Sequence, residues 1–266
     1  MCYITKMKRL VFISDLDGTI LYSGYPSETC VEYRGTEEIT YMTSKAYSLF
    51  NKLLEGNNFY FIPCTLRSIE QTSRISFIKE GKAEWIICDN GFSIYRNGVL
   101  DMDWDCLMRK EVNAYPNEEV YQKLVFFASA HHSNCRVKDN RFAFFTLIFK
   151  ESEVAFQYFP EVVNMIGNST YKFDLQGRKL YIVPKFLDKS LAVSYLMRNF
   201  SNSRVVTAGD SSVDARFIQY GDVVLLPKHA KIMNASAVRT ENEKIKAGED
   251  IIKMVFREYQ RTLSSE

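Results

Sequence analysis

Apolar positions 10–13 form an unbroken aliphatic and aromatic run that stops abruptly at Asp15-Leu16-Asp17-Gly18-Thr19. Such a run predicts a buried strand that delivers acid groups to its carboxyl-terminal edge. Alternation along an extended segment sends Asp15 and Asp17 to one side of the backbone and Leu16 to the other. Residues 22–35 are rich in Gly, Pro, Ser and Tyr, which predicts a turn or flap beside that edge rather than a regular element. Ala46, Leu49, Phe50, Leu53 and Leu54 then form a helical stripe across residues 43–56, closed by Gly56. A second apolar strand is expected over 58–64, ending in Thr65-Leu66-Arg67-Ser68. A helix over about 70–80 and a third strand over 84–88, ending in Asp89-Asn90-Gly91, follow. This β-α-β-α-β alternation predicts a parallel sheet with helices on its faces.

From about residue 103 to 177 the pattern changes. Helices are expected over 118–131 and 152–164. Strands that look antiparallel are expected over 134–137, 141–149, 171–175 and 179–183, with tight turns at Asp139-Asn140 and Gln176-Gly177. The first pattern resumes at Leu187, with a helix over 188–199 capped by Asp188 and a strand over 204–208 ending in Gly209-Asp210. A short helix near 213–220, a strand over 222–226 and an amphipathic helix over 248–262 complete it. The fold class is therefore α/β: a Rossmann-like parallel sheet with helices on both faces, interrupted by an α+β insertion. Residues 1–102 and 184–266 are expected to form the core and 103–183 the insertion.

Composition narrows the range of functions. The chain has 266 residues, 46% of them hydrophobic, which is enough to bury a sizeable core. A net charge of +2 leaves no electrostatic footprint for nucleic acid or an anionic membrane, so small-molecule chemistry is favoured. The six cysteines (Cys2, Cys30, Cys64, Cys88, Cys106 and Cys135) show no CxxC spacing and read as reduced thiols of a cytoplasmic protein. The apolar stretch behind Lys6, Lys8 and Arg9 is too short for a signal peptide or a membrane span.

Polar residues collect where predicted strands end: Asp15 and Asp17, Thr65 and Arg67, Asn90, Asp210 and Asp214, with Lys189 at the start of a helix. Strand ends of a parallel sheet share one edge, where open α/β sheets bind ligands. Carboxylates, a hydroxyl and a lysine, without a strand-end histidine or cysteine, point to phosphoryl chemistry on a carboxylate nucleophile rather than acyl transfer. Two carboxylates as close as Asp15 and Asp17 need compensation, and an oxygen-only ligand set suits Mg2+. Plainer readings stand beside these: an acidic turn for Asp15 and Asp17, helix caps for Asp210 and Asp214, Lys185 in place of Lys189, and a surface ion pair for Arg67. His131, His132, Phe142, Phe144, Phe145 and Phe149 read as parts of the insertion rather than as ligands.

Asp15-Leu16-Asp17-Gly18-Thr19, Thr65, Lys189 and Gly209-Asp210-Ser211-Ser212-Val213-Asp214, in this order, resemble the four motifs of haloacid dehalogenase (HAD) superfamily phosphatases. The insertion after Asn90-Gly91 is similar to the C2-type cap of the sugar-phosphatase branch. The resemblance implies that Asp15 attacks phosphorus and becomes an aspartyl phosphate, while the Asp17 side chain acts as acid and then base. It implies Mg2+ held by the Asp15 carboxylate, the Asp17 backbone carbonyl and Asp210, with support from Asp214. Thr65 and Lys189 would contact the phosphoryl group, with Arg67 and Asn90 as further substrate contacts. The cap would close over a small phosphorylated metabolite such as a sugar phosphate. A cytoplasmic monomer or homodimer, with no nucleic-acid or membrane partner, completes the expectation. Two departures stand out: Val213 where many C2-capped relatives carry Asn, and Leu66 where Gly is common. A phosphosugar mutase using the same aspartyl chemistry and a catalytically idle binding module on the same fold are the alternatives.

Overall fold

The computed structural model describes residues 9–264, so Cys2, Lys6 and Lys8 lie outside the described residues. The chain divides into two compact units. One takes in the chain up to Asp101 and again from Asp188; the other is Met102–Leu187.

The first unit begins with β1 (Arg9–Ser14), β2 (Thr29–Arg34), β3 (Glu37–Met42), α1 (Ser44–Leu54) and β4 (Phe59–Pro63). It continues with α2 (Ile69–Thr72), α3 (Ser76–Lys79), β5 (Trp85–Cys88), β6 (Ser93–Arg96) and β7 (Val99–Leu100). The inserted unit contains α4 (Met102–Val112), α5 (Asn117–Ala130), β8 (Cys135–Asn140), β9 (Phe144–Phe149), α6 (Ser152–Ile166), β10 (Tyr171–Gln176) and β11 (Lys179–Pro184). The first unit then resumes with α7 (Lys189–Met197), β12 (Ser203–Ala208), β13 (Val223–Leu226), β14 (Val238–Arg239) and α8 (Lys244–Ser264).

Five strands form a parallel sheet in the order β14-β13-β12-β1-β4. Strand β1 takes an interior position, flanked by β12 and β4, because it is apolar on both faces: Leu10, Val11, Phe12 and Ile13 are all fully buried. Leu10 and Phe12 meet Phe50 and Leu53 of α1 and Ile251, Ile252 and Val255 of α8. Phe50 stands edge-on to Phe61 and Phe77, with ring centroids 4.9 Å and 5.2 Å away. On the other face of β4, Tyr60 meets Phe200 just beyond α7. The register sets Ser14 opposite Ala208 on one side and Pro63 on the other. Three neighbouring strands thus end level, and whatever follows each of them is delivered to one edge.

Several local expectations need correction. Residues 22–35 do not form an irregular flap throughout, because β2 and β3 pair as an antiparallel hairpin around Gly35-Thr36. A buried carboxylate, Glu32, interrupts the apolar pattern that would have announced β2. The helix over 70–80 is two short helices, because Ile75 leaves the helical path to bridge Glu32 of β2. Strand β5 lies in an antiparallel sheet with β6 and β7 and meets β4 through the single parallel bridge Cys64–Ile87. The helix near 213–220 is two 3-10 turns, Ser212–Asp214 and Phe217–Tyr220.

The inserted unit is a four-stranded antiparallel sheet, in the order β10-β11-β9-β8, with α5 and α6 on one face. Val120, Leu124 and Phe127 of α5 and Ala155 and Val162 of α6 close over Phe145, Leu147, Leu180 and Ile182. Helix α4 was not anticipated. The β8–β9 turn lies at 141–143 rather than at Asp139-Asn140: Asn140 pairs with Phe144, and the Asp139 carboxylate accepts from Phe142 N at 2.7 Å. His131 packs between the rings of Phe127 and Tyr158, each centroid 4.6 Å away, as part of this core. Among the described residues all five cysteines are free, and no helix is long and apolar enough to cross a membrane.

Candidate active site

Asp15 continues β1 past its last paired residue, with its N–H donating to Ala208 O at 2.9 Å. Opposite it stands Lys189, the first residue of α7, whose position is set by the Asp188 cap accepting from Ser190 N. The Lys189 side chain is fully buried, and its Nζ donates to Asp15 Oδ1 at 2.6 Å and Asp214 Oδ1 at 2.7 Å. Lys185, the competing lysine, is exposed.

Asp214 closes the 3-10 turn after β12, and its second oxygen accepts from Ser211 N, Ser211 Oγ and Asp210 N at 3.0, 2.9 and 3.2 Å. Asp210 accepts from Thr19 Oγ1 at 3.3 Å. Two glycines permit this approach. A Cβ on Gly18, whose φ is +79°, would lie 2.7 Å from Asp210 Oδ2, and one on Gly209 would lie 2.6 Å from the Asp214 Cβ. The Gly18 carbonyl is braced by the Tyr22 hydroxyl at 2.7 Å and by His229 Nε2 at 2.9 Å. Because His229 Nδ1 accepts from Lys244 N, its Nε2 carries the proton and donates to Gly18. Val213 and Leu66 are both half-buried.

One carboxylate oxygen each from Asp15, Asp210 and Asp214 lies within 4.8 Å of the others. Three acids against one ammonium leave this corner short of positive charge. Burial pushes the Asp15 carboxyl well above the usual carboxylate range, and Asp214 and Asp210 add to this against the pull of Lys189. Burial, with repulsion from Asp214, pushes Asp210 up to about 7. Burial opposes the charge on Lys189, but Asp15 and Asp214 outweigh it and hold the ammonium protonated. An all-oxygen cluster with uncompensated charge fits a hard divalent cation.

The Asp17 carboxylate lies outside this cluster and is gripped by a guanidinium. Arg67 Nε donates to Asp17 Oδ2 and Nη2 to Asp17 Oδ1, both at 2.6 Å, while Nη1 donates to Glu32 Oε2 at 2.7 Å. Arg67, expected to meet substrate, has its guanidinium fork on two carboxylates of the protein, Asp17 and Glu32. Thr65, almost wholly buried, accepts from Arg67 N at 3.1 Å and keeps its own hydroxyl hydrogen to donate. Asn90 takes a left-handed conformation (φ 59°), and its N–H donates to Thr65 O at 3.1 Å. The Asn90 side-chain amide is buried, and neither its oxygen nor its nitrogen has a hydrogen-bond partner among the described residues. Asp15, Asp210, Asp214 and Lys189 thus form one contiguous group, with Asp17, Thr65, Arg67 and Asn90 linked through the loops after β4 and β5. Glu32 and His229 belong to this environment and had no motif to announce them; the only trace of Glu32 was a lone carboxylate inside a strand-forming run.

A parallel sheet with acids and a buried lysine at its carboxyl edge, interrupted by an antiparallel α+β unit, defines a haloacid dehalogenase superfamily phosphatase. The chain belongs to the sucrose-6F-phosphate phosphohydrolase family, which it matches over residues 8–249, and it is a phosphatase. Solved structures agree in fold. The sucrose-phosphatase of Synechocystis sp. PCC6803, in complex with sucrose and phosphate, is 14% identical over 94% of this chain and 98% of its own, with a TM-score of 0.61. A haloacid dehalogenase-like hydrolase from Bacteroides thetaiotaomicron is 15% identical over 94% and 99% of the two chains, with a TM-score of 0.58. The C-terminal domain of the C. albicans trehalose-6-phosphate phosphatase is 10% identical over 94% and 93%, with a TM-score of 0.63. No curated protein matches the chain.

Proposed function

We propose that this phosphatase is a Mg2+-dependent hydrolase of a sugar phosphate or a closely related phosphomonoester, acting through an aspartyl-phosphate intermediate. The observation that carries this reading is the buried Lys189 held between Asp15, just past β1, and Asp214, in the turn after β12. Asp15, bonded to Lys189 through Oδ1, has a second carboxylate oxygen with which to attack.

In the first half-reaction an Asp15 oxygen forms a bond to phosphorus, and the bond from phosphorus to the sugar oxygen breaks. The leaving oxygen takes a proton from the Asp17 carboxyl group. In the second half-reaction water attacks phosphorus, Asp17 accepts its proton, inorganic phosphate leaves and the Asp15 carboxylate is restored. Thr65 donates its hydroxyl to a phosphoryl oxygen, and Lys189 steadies the nucleophile and offsets charge on the transferring group. Asn90, whose buried amide lacks a partner among the described residues, is read as a further contact to the phosphoryl end of the substrate. Asp15, Asp210 and Asp214, with the Asp17 carbonyl, would hold Mg2+, whose contribution is to neutralise charge on the phosphoryl oxygens.

The interrupted unit is read as the catalytic core and the Met102–Leu187 unit as a C2-type cap that governs specificity. A sugar phosphate is favoured because the chain falls in a sucrose-phosphate family and because the Synechocystis structure carries sucrose and phosphate. A cytoplasmic location belongs to the same reading and is supported by the free cysteines.

The test is phosphate release from glucose 6-phosphate, sucrose 6-phosphate, trehalose 6-phosphate and a wider set of phosphorylated metabolites, with Mg2+, by wild type and Asp15→Asn. Release by the wild type alone supports hydrolysis at Asp15. Equal release by both, or isomer interconversion without free phosphate, overturns it.

A further inference from the structure

Glu32 lies in the middle of β2 with its side chain fully buried, and none of the roles above uses it. Its carboxylate is saturated. Oε1 accepts from Arg74 Nε at 3.0 Å and Nη2 at 2.8 Å, while Oε2 accepts from Arg67 Nη1 at 2.7 Å and Thr40 Oγ1 at 3.1 Å. The backbone bridge between Glu32 and Ile75 sets the neighbouring Arg74 against this carboxylate. Burying a carboxylate with arginines is a poor route to stability, since desolvation offsets much of the attraction. It is a good route to orientation, because a saturated buried group has one geometry.

That orientation is passed on to the site. Two guanidinium groups on one carboxylate leave a positive charge unmatched, and Asp17 meets it. Arg67 turns one nitrogen inward to Glu32 and presents its Nε–Nη2 edge to both oxygens of Asp17. The inner end of this chain is closed, with Glu32 fully buried and Arg67 only 10% exposed, whereas Asp17 is 56% exposed. Without a fixed arginine, an aspartate that exposed would sample its rotamers freely.

We propose that Glu32 is a positioning residue for the reaction: held by Arg74 and Thr40, it fixes Arg67, and Arg67 fixes the Asp17 carboxylate where it exchanges protons with the leaving group and with water. This rests on the reading of Asp17 as acid and base. The clamp suits Asp17 above all between the two half-reactions, when it is ionised and must receive a proton from the attacking water.

The experiment compares wild type, Glu32→Gln and Asp17→Asn on 4-nitrophenyl phosphate and on a sugar phosphate that the wild type hydrolyses. A nitrophenolate leaves without a proton, so kcat/KM for the aryl ester does not require the acid, while kcat still requires the base to hydrolyse the intermediate. For Glu32→Gln on the aryl ester, kcat is expected to fall about tenfold while kcat/KM stays within about twofold, with a burst of nitrophenol before steady state. On the sugar phosphate both parameters fall. Asp17→Asn shows the same division more strongly. If Glu32→Gln does not fold, the charge-balanced Glu32→Gln/Arg74→Met variant carries the same expectation. Division in Asp17→Asn with none in the Glu32 variants, or parallel loss of kcat and kcat/KM on the aryl ester, overturns the role of Glu32 alone. Absence of the division in Asp17→Asn itself overturns the acid-base reading beneath it.

Discussion

The Lys189 ammonium lies 2.6 Å from Asp15 Oδ1, although 174 positions separate the two residues in the chain. The contact exists because β1 delivers Asp15 to the sheet edge and the Asp188 cap starts α7 with its first side chain pointing at that edge. Replacing Lys189 by Met leaves buried acids without their counter-charge, and breaking such a pair costs about 3–5 kcal/mol. Urea denaturation of Lys189→Met in EDTA should show a loss of this size, and Lys189→Met/Asp214→Asn should recover part of it. An unchanged midpoint in the single variant would contradict the geometry.

Asp15→Asn should behave in the opposite way. It removes the proposed nucleophile, so phosphate release should fall about a thousandfold or more, equivalent to about 4 kcal/mol at the barrier. It also removes one of three mutually repelling charges, so in EDTA its melting temperature should be no lower than that of wild type.

Chelation should abolish phosphate release, and added Mg2+ should restore it. Binding to the folded state alone raises stability by about 2.7 kcal/mol at a ligand concentration one hundred times Kd. Thermal melting with and without Mg2+ checks this, and Asp210→Asn should lose most of the shift.

In the metal-free protein the acid cluster also sets a pH dependence. Asp210 is pushed up to about 7, so the folded state binds its proton more tightly than the unfolded chain does. Its contribution to stability is therefore full below about pH 4 and is lost as pH rises through about 7. Glu249 runs the other way. Burial would raise it, but hydrogen bonds from Lys253 and Thr43 bring it down to about 2, so its contribution is present above about 4.5 and fades below that. Denaturation in EDTA from pH 4.5 to 8 should show falling stability, with a shallower slope in Asp210→Asn.

Gly18→Ala should destabilise through both its left-handed backbone and a Cβ 2.7 Å from Asp210 Oδ2. Gly24 has a similar φ, +82°, with nothing among the described residues within 4 Å of an added Cβ, so Gly24→Ala measures backbone strain alone. That strain is about 1–3 kcal/mol. Gly18→Ala should exceed it and also weaken the Mg2+ shift, whereas Gly24→Ala should leave that shift intact.

Much of the interrupted unit was legible in the chain because β1, β4 and β12 are buried on both faces and therefore read as apolar runs with polar stops. The same stops mark Asp15, Thr65 and Asp210. What escaped was whatever depends on tertiary pairing. Strand β2 is masked by Glu32, a charge whose burial makes sense only once Arg67, Arg74 and Thr40 are seen around it. The break between α2 and α3 is a response to the Glu32–Ile75 bridge, and the separation of β5 from the parallel sheet depends on β6 and β7. Arg67 was visible as a strand-end arginine, but which carboxylate it would grip was not written in its neighbours.

The placement of Met102–Leu187 inside the other unit also sets an order of manufacture. A ribosome releases β1 and β4 early, then the whole inserted unit, and only afterwards β12, which covers the second edge of β1. The insertion can complete its own antiparallel sheet while the surrounding unit still carries an open strand edge built around Leu10, Val11, Phe12 and Ile13. Nascent or truncated chains that stop before residue 203 present that edge to their neighbours, the kind of surface that chaperones cover and aggregates extend.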